Sequence, residues 1–296
     1  MVRAQAVSVQ GVSGPARQRT PAAGPAALQG RNDAAVGPAA LEGADVTRNV
    51  MTRLHVNGAP GRLGRVVVQL AEMSGEFAVT KSGRGDAVGE LINGCDVVID
   101  VSQPEASVLV ADECARRTKP VVIGTTGHSA DQRQELQRAA QRTALLLAPN
   151  FSVGVNLLFW LTEQTAKALG SEFDAEVVEI HHRLKKDAPS GTAKRLGEII
   201  AQVRALSYET SVRNGRAGLV GERTSGEIGI HAIRGGDVVG EHTVFFAGPG
   251  ERLELGHKAS SRETFARGAL RAAHWILARA PGMYDMRDVL GLAGER

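Results

Sequence analysis

The densest group of reactive side chains in the 296-residue sequence lies in EIHHRLKKDAPSGTA, residues 179–193. The run DAEVVEI reads as a strand, and His181 and His182 stand at its end. Lys185 follows in a loop, and Ser190, Gly191 and Thr192 open the next helix. A serine at a helix start caps free N–H groups. Together with a second hydroxyl and the helix dipole, it can hold a carboxylate. A core position would explain either histidine alone. In combination with Lys185 and the helix start, the set reads as an anion site with a proton donor. That equipment suits reduction of a C=C–C=N system bearing carboxylates.

A second chemical element is VNGAPGRLG, with Gly58, Gly61 and Gly64 three apart at a strand-to-helix junction. Glycines let such a turn close and bring backbone N–H groups against a pyrophosphate. Pro60 stands where the usual GxGxxG has its middle glycine, and it removes one donor. Close helix–strand packing would also explain the glycines. Placed at the first turn of an alternating chain, they favour dinucleotide binding. The second strand ends in Lys81, Ser82 and Arg84, where NAD-binding folds usually carry an acid. Two cations there either grip a 2′-phosphate or are ordinary surface charges, and they tilt the expected coenzyme from NADH to NADPH. Gly124, Thr125 and Thr126, and Ala148, Pro149, Asn150 and Phe151, lie in loops after later strands, where open α/β sheets bind ligands.

These groups need a scaffold that alternates strand and helix. Strand-like runs at 53–58, at EFAVTK, and at 95–102, 120–127 and 144–150 are separated by helix-like runs. CDVVIDVS is apolar and β-branched, as a strand buried on both faces must be. Such alternation predicts an α/β fold with a Rossmann-like, doubly wound parallel sheet. After Phe151 the pattern changes. A long helix (154–169) precedes DAEVVEIHH, a helix starts near Gly191, and three strand-like runs follow without helices between them. A second α+β domain with a mixed sheet is expected there. The chain closes with an amphipathic helix over 261–279 and the tail GMYDMRDVLGL.

Composition narrows the class. Aromatics are 4% and the formal net charge is +3, with no basic run interleaved with aromatics, so nucleic acid is not an expected partner. Cys95 and Cys114 form no CxxC or Cys/His cluster, so neither a metal site nor a disulfide framework is expected. No apolar stretch approaches the roughly 20 residues of a membrane span, and cytoplasmic placement is expected. Residues 1–50 are rich in Ala, Gly, Pro, Gln and Arg and lack periodicity. They read as a disordered extension, with Met51 as a natural initiator. A transit peptide is the alternative, because four arginines precede the first acid, and it would make the location organellar.

Taken in order, VNGAPGRLG, VIGTTG, APNFSVGVN, HHRLKKDAPSGTA, RGGDVVGEHTV, GERLELGHKASSR and YDMRDVL resemble the 4-hydroxy-tetrahydrodipicolinate reductases over residues 51–296. The resemblance implies a dinucleotide-binding domain of residues 51–152 plus 263–296. A substrate-binding and oligomerisation domain would span 153–262, in a homotetramer built through its sheet. It implies reduction of (2S,4S)-4-hydroxy-2,3,4,5-tetrahydrodipicolinate, a small dicarboxylate, to 2,3,4,5-tetrahydrodipicolinate with loss of water, on the diaminopimelate route to lysine. His181 would be proton donor or acceptor and Lys185 proton donor. His182, Gly191 and Thr192, beside Ser190, would contact substrate, and Arg262 would bind a carboxylate. Gly58, Ala59, Pro60, Gly61, Arg62 and Leu63 would hold the coenzyme with the two loops 124–126 and 148–151.

The chain departs from the family pattern in three places. The stretch before CDVVIDVS is short, as if one strand–helix excursion were missing. The ribose acid is absent, and Ser102 replaces a usual threonine. Another two-domain Rossmann oxidoreductase would explain the glycines but not HHRLKKDAPSGTA. A catalytically inactive nicotinamide-binding sensor predicts an eroded substrate motif, whereas every member is present.

Overall fold

The computed structural model describes residues 51–292, so the expectations for residues 1–50 lie outside the described residues. Six parallel strands form the first sheet: β1 (Thr52–Asn57), β2 (Phe77–Ser82), β3 (Val97–Asp100), β4 (Val121–Ile123), β5 (Ala144–Leu147) and β11 (Gly282–Tyr284). Their order is β11-β5-β4-β3-β1-β2. The order in which the chain adds strands reverses between β1 and β3, which opens a ligand crevice at their carboxyl ends. β2 is an edge strand, and only one short helix, Val88–Asn93, separates it from β3 along the chain. The helices α1 (Arg62–Ser74), α2 (Val88–Asn93), α3 (Pro104–Arg116) and α4 (Ala130–Ala140) return the chain between strands.

β3 and β4 are buried along their whole lengths, as their unbroken Val/Ile runs require. One face of this sheet packs on α1 and on α8 (Glu263–Ile276), whose Ala266, Ala269, Ala272 and Ala273 allow close approach. The short α9 (Met286–Val289) adds Met286 and Val289 to that core. A second core, around Val110, Cys114, Ile123 and Leu136, fills the opposite face beneath α3 and α4.

The second sheet holds β6 (Asp174–His181), β7 (Val212–Asn214), β8 (Ile228–Arg234), β9 (Gly240–Gly248) and β10 (Glu251–Ala259) in the order β10-β9-β6-β8-β7. β6 runs parallel to β8 and antiparallel to β9, so the sheet is mixed. Its inner face packs against α5 (Val153–Leu169) and α6 (Gly191–Val203) around Val177, Ile200 and Phe246. The short α7 (Tyr208–Ser211) and β7, and the pairing of the tail as β11, have no counterpart in the sequence patterns. They are three or four residues long, too short for periodicity to register. Among the described residues no helix is long and apolar enough to cross a membrane.

Candidate active site

At the carboxyl ends of β1 and β3, α1 begins with Gly61 as its N-cap and has no side-chain cap. The starts of α4, α5 and α6, in contrast, each carry a capping serine. The first-turn N–H groups of α1 are therefore left for a ligand. Gly58 has φ +82°, and a Cβ there would stand 2.6 Å from the Val101 carbonyl oxygen. A Cβ on Gly64 would stand 2.3 Å from the Gly58 carbonyl oxygen, so glycine is also what lets α1 pack onto its strand. The turn borders a hollow of about 640 Å³ lined by Gly58, Pro60, Gly61, Arg84, Val101 and Gln103. An uncapped helix start on a turn that only glycine lets close, beside an open hollow, fits the diphosphate of a dinucleotide. The Gly58 and Ala59 N–H groups both donate to the Ser82 carbonyl, 3.0 Å each, and hold the turn to β2 instead.

Beneath this cradle runs a buried polar chain that sequence reasoning missed. Asp100 is fully buried and accepts from Asn57 Nδ2, Ser102 Oγ and Thr125 Oγ1, each at 2.6 Å. Ser82 Oγ donates to Asn57 Oδ1 at 2.8 Å and lies 2.9 Å from His55 Nε2. Because that hydroxyl proton is committed to Asn57, Ser82 accepts from His55 Nε2–H. His55 Nδ1 is then left to accept from Thr80, 2.9 Å away. Burial holds the His55 ring below its ordinary pKa, consistent with this neutral form. Thr125 also accepts from the Ser102 N–H at 2.9 Å, so the expected Thr125 hydroxyl holds loops together. The signal was present as polar residues at strand ends, but only register brings 57, 82, 100 and 125 side by side.

The other expected cofactor residues divide. Gly124 is where a Cβ would stand 2.4 Å from the Phe151 ring, and Phe151 itself is core. Ala148 is buried, while Thr126 and Pro149 are exposed. Asn150 accepts from the Ser152 N–H at 2.9 Å and approaches Thr192 Oγ1 at 3.4 Å, linking this loop to the start of α6. Lys81 pairs with Glu72 of α1 at 3.1 Å. Arg84 lines both the main hollow and a neighbouring one of about 630 Å³ with Arg65, Lys81 and Asp86. Of the two expected cations, it is the one that borders the cofactor hollow.

A third hollow, about 340 Å³, lies between the two sheets' loops. Arg62, Leu63 and Val66 at the start of α1 meet His181, His182, Lys185, Val239, Arg262 and Phe265 there. Arg262, just before α8, brings Nη2 to 3.3 Å from His182 Nε2. Partial burial, then the positive charges of Arg262 and its neighbours, hold His182 below its ordinary pKa, so it meets Arg262 as a neutral ring. Lys185 Nζ lies 2.9 Å from both carboxylate oxygens of Asp187. Ser190, Gly191 and Thr192 do open α6, but they are not among the residues lining this hollow. The Ser190 hydroxyl caps the Ala193 N–H at 3.2 Å and lies 3.1 Å from His242 Nε2.

Glu179 organises the group from below. It is fully buried, and Arg234 grips both its oxygens at 2.8 Å. The Ser190 N–H donates to Oε1 at 3.0 Å, and His181 Nδ1 is 2.5 Å from Oε2. Burial pushes the Glu179 carboxyl up, but hydrogen bonds from His181, Arg234 and Ser190 outweigh it and hold the group at about 2. His242 pairs with Glu179 across β6 and β9, and its ring meets His181 edge-on at 5.1 Å. Burial first, then the neighbouring His181, push His242 down to about 3, so it is neutral. Glu179 was not singled out in the sequence, although its place two residues before His181 on one strand puts both on one face. The partners Arg234 and His242 come from β8 and β9 and were not legible in the sequence.

The doubly wound sheet, its open helix start and the polar hollow beside it define a nicotinamide-dependent oxidoreductase with a second, mixed-sheet domain. Sequence comparison makes the class specific. Residues 52–151 match the family model "Dihydrodipicolinate reductase, N-terminus" and residues 154–290 match "Dihydrodipicolinate reductase, C-terminus". The chain belongs to the dihydrodipicolinate reductase family. It is 49% identical over 244 residues to the 4-hydroxy-tetrahydrodipicolinate reductase of Akkermansia muciniphila, covering 82% of this chain and 99% of that one. It is 47% identical over 270 residues to the protein of that name from Anaeromyxobacter dehalogenans, covering 83% and 100%. Among solved structures, a dipicolinate-bound dihydrodipicolinate reductase from Paenisporosarcina sp. TG-14 matches with a TM-score of 0.63 at 24% identity. That match covers 79% of this chain and 97% of that one, and carries the fold.

Proposed function

We infer that the 340 Å³ hollow is where this family member reduces 4-hydroxy-tetrahydrodipicolinate, and that His181 and Lys185 handle its protons. Family membership and the relatives' names support an NAD(P)H-dependent reductase of the diaminopimelate route to lysine. The observation that carries the site reading is the meeting of Arg62 and Leu63, from the coenzyme turn, with His181, His182, Lys185 and Arg262 in one hollow. Bound NAD(P)H supplies the hydride for the ring carbon that loses its hydroxyl. The work of this chain's own residues is then to hold two carboxylates and to deliver a proton to the neighbouring carbon.

Arg262 and the open face of His182 suit one carboxylate; the Gly191–Thr192 helix start, outside the lining of the hollow and with only its Ala193 N–H capped by Ser190, is proposed to meet the other. Lys185 and His181 border the same space from one loop and one strand end. The Paenisporosarcina protein, bound to dipicolinate, offers a precedent for a planar dicarboxylate in this fold. On the coenzyme, Arg84 supports a preference for NADPH, because its guanidinium borders the hollow, while the carboxylate of nearby Asp86 accepts from the Gly83 N–H at 2.9 Å.

The division into 51–152 plus 263–296 and 153–262 is part of this proposal. It is supported by the separate cores of the two sheets, with α8 packed in the first. So is a homotetramer in the cytoplasm. Ile233 and Leu253 on the second sheet are 48% and 43% exposed, apolar surface that a partner copy would cover. Turnover is tested with purified protein, NADPH or NADH, and freshly generated substrate. Oxidation of the coenzyme above the substrate-free rate, faster with NADPH, is expected. No substrate-dependent oxidation with either coenzyme would refute the reading.

A further inference from the structure

Glu179 is fully buried and lines none of the three hollows described above, yet it holds a side chain of the site. We propose that Glu179 is the positioning residue for His181, fixing which ring nitrogen faces the substrate. The proposal rests on the reading of His181 as a proton donor.

Three of the carboxylate's contacts are spoken for: two from Arg234 and one from the Ser190 N–H. The remaining one is His181 Nδ1 at 2.5 Å. An ionised carboxylate only accepts, so the proton between them belongs to Nδ1. Nε2 is then the nitrogen that takes up and gives away a proton. Gly240 lies beside that atom, where a Cβ would stand 2.9 Å from His181 Nε2 and crowd it, and the His181 ring borders the hollow. His242 closes the other side of the ring edge-on and is held in turn by Ser190.

Arg234 extends the device. Besides Glu179, it donates to the Asp187 carbonyl at 2.7 Å, and Asp187 holds Lys185. The same buried pair thus fixes the histidine directly and braces the loop that carries the lysine. The orientation of His181 is therefore set from the core of the second sheet, before substrate arrives. Nothing in the proposal requires Glu179 itself to gain or lose a proton during turnover. The proton leaves Nε2 for the substrate carbon, while Nδ1–H stays on the carboxylate.

Glu179→Gln tests this, because glutamine keeps the shape but can turn its NH₂ toward Nδ1. The readouts are the ¹⁵N resonances of the His181 ring, assigned by their loss in His181→Ala, and steady-state kinetics. The wild-type neutral ring should carry its proton on Nδ1, and Glu179→Gln should move it to Nε2. The same change should lower kcat about 100-fold or more, with KM for NADPH within about twofold. Combined with His181→Ala, it should add little further loss, as expected of two residues acting through one group. A wild-type ring protonated on Nε2 alone overturns the proposal even if the variant does not fold. So does a folded Glu179→Gln with kcat within threefold of wild type while His181→Ala is slow. Normal turnover by His181→Ala would instead remove the histidine's role, and the functional reading would fall with it.

Discussion

Each sheet ends in a fully buried carboxylate, Asp100 in the first and Glu179 in the second, and the two are satisfied in different ways. Asp100 accepts only from neutral groups, the side chains of Asn57, Ser102 and Thr125. All three belong to the loops and strand ends that shape the coenzyme cradle, so the acid's effect stops at the backbone. Glu179 accepts from Arg234, the Ser190 N–H and His181, and the last of these reaches the substrate hollow. A dinucleotide diphosphate is recognised by main-chain N–H groups, which need rigid turns and small residues. A reaction that moves protons needs a titratable side chain aimed at one point. The first region spends its polar side chains on shape and the second aims them outward.

The largest effect that could break this contrast is catalytic. If the second region aims reacting groups, His181→Ala and Lys185→Ala should each lower kcat by about 10²–10⁴-fold. Coenzyme binding and melting temperature should stay near wild type. Near-normal kcat in both folded variants would put the proton donor elsewhere.

A smaller effect, of a different kind, is expected at the first acid. Asp100→Ala leaves two buried donors and one half-buried donor without their acceptor, at a cost of about 2–3 kcal/mol, which is a fall in Tm of roughly 5–10 °C. Because the cradle loosens, KM for the coenzyme should rise, with kcat at saturating coenzyme changed least. Thermal unfolding and coenzyme titration check both halves. A large kcat loss with unchanged Tm would mean that Asp100 acts chemically and that the contrast between the two acids is false.

The smallest effect separates two cations that the sequence treats alike. Arg84→Ala should raise KM for NADPH by about three- to tenfold and leave that for NADH unchanged, the range of one partly exposed charge-assisted contact. Lys81→Ala should change neither, since its ammonium rests on Glu72. Equal shifts for both coenzymes in the Arg84 variant would return that residue to the ordinary surface.

The amino-acid sequence by itself determined the alternating elements of the first sheet, because fully buried β-branched runs and amphipathic helices are local patterns. It determined the glycine turn, where backbone geometry leaves no alternative, and the reactive cluster His181, His182 and Lys185, which is nearly contiguous. The tertiary structure alone decided which polar residues serve shape and which serve chemistry. Ser190 and Thr125 read as ligand groups in sequence, yet the Ser190 hydroxyl caps α6 and meets His242, and that of Thr125 bonds to Asp100. Lys81 and Arg84, three apart, share one hollow but differ in their partners, because a strand turns into a loop between them: Lys81 rests on Glu72, and Arg84 reaches the main hollow as well. Arg234 and Arg262 reach the site from 55 residues beyond Glu179 and 80 beyond His182. Strand pairing and helix packing bring such distant residues to hydrogen-bonding distance, and no local pattern of residues encodes those contacts.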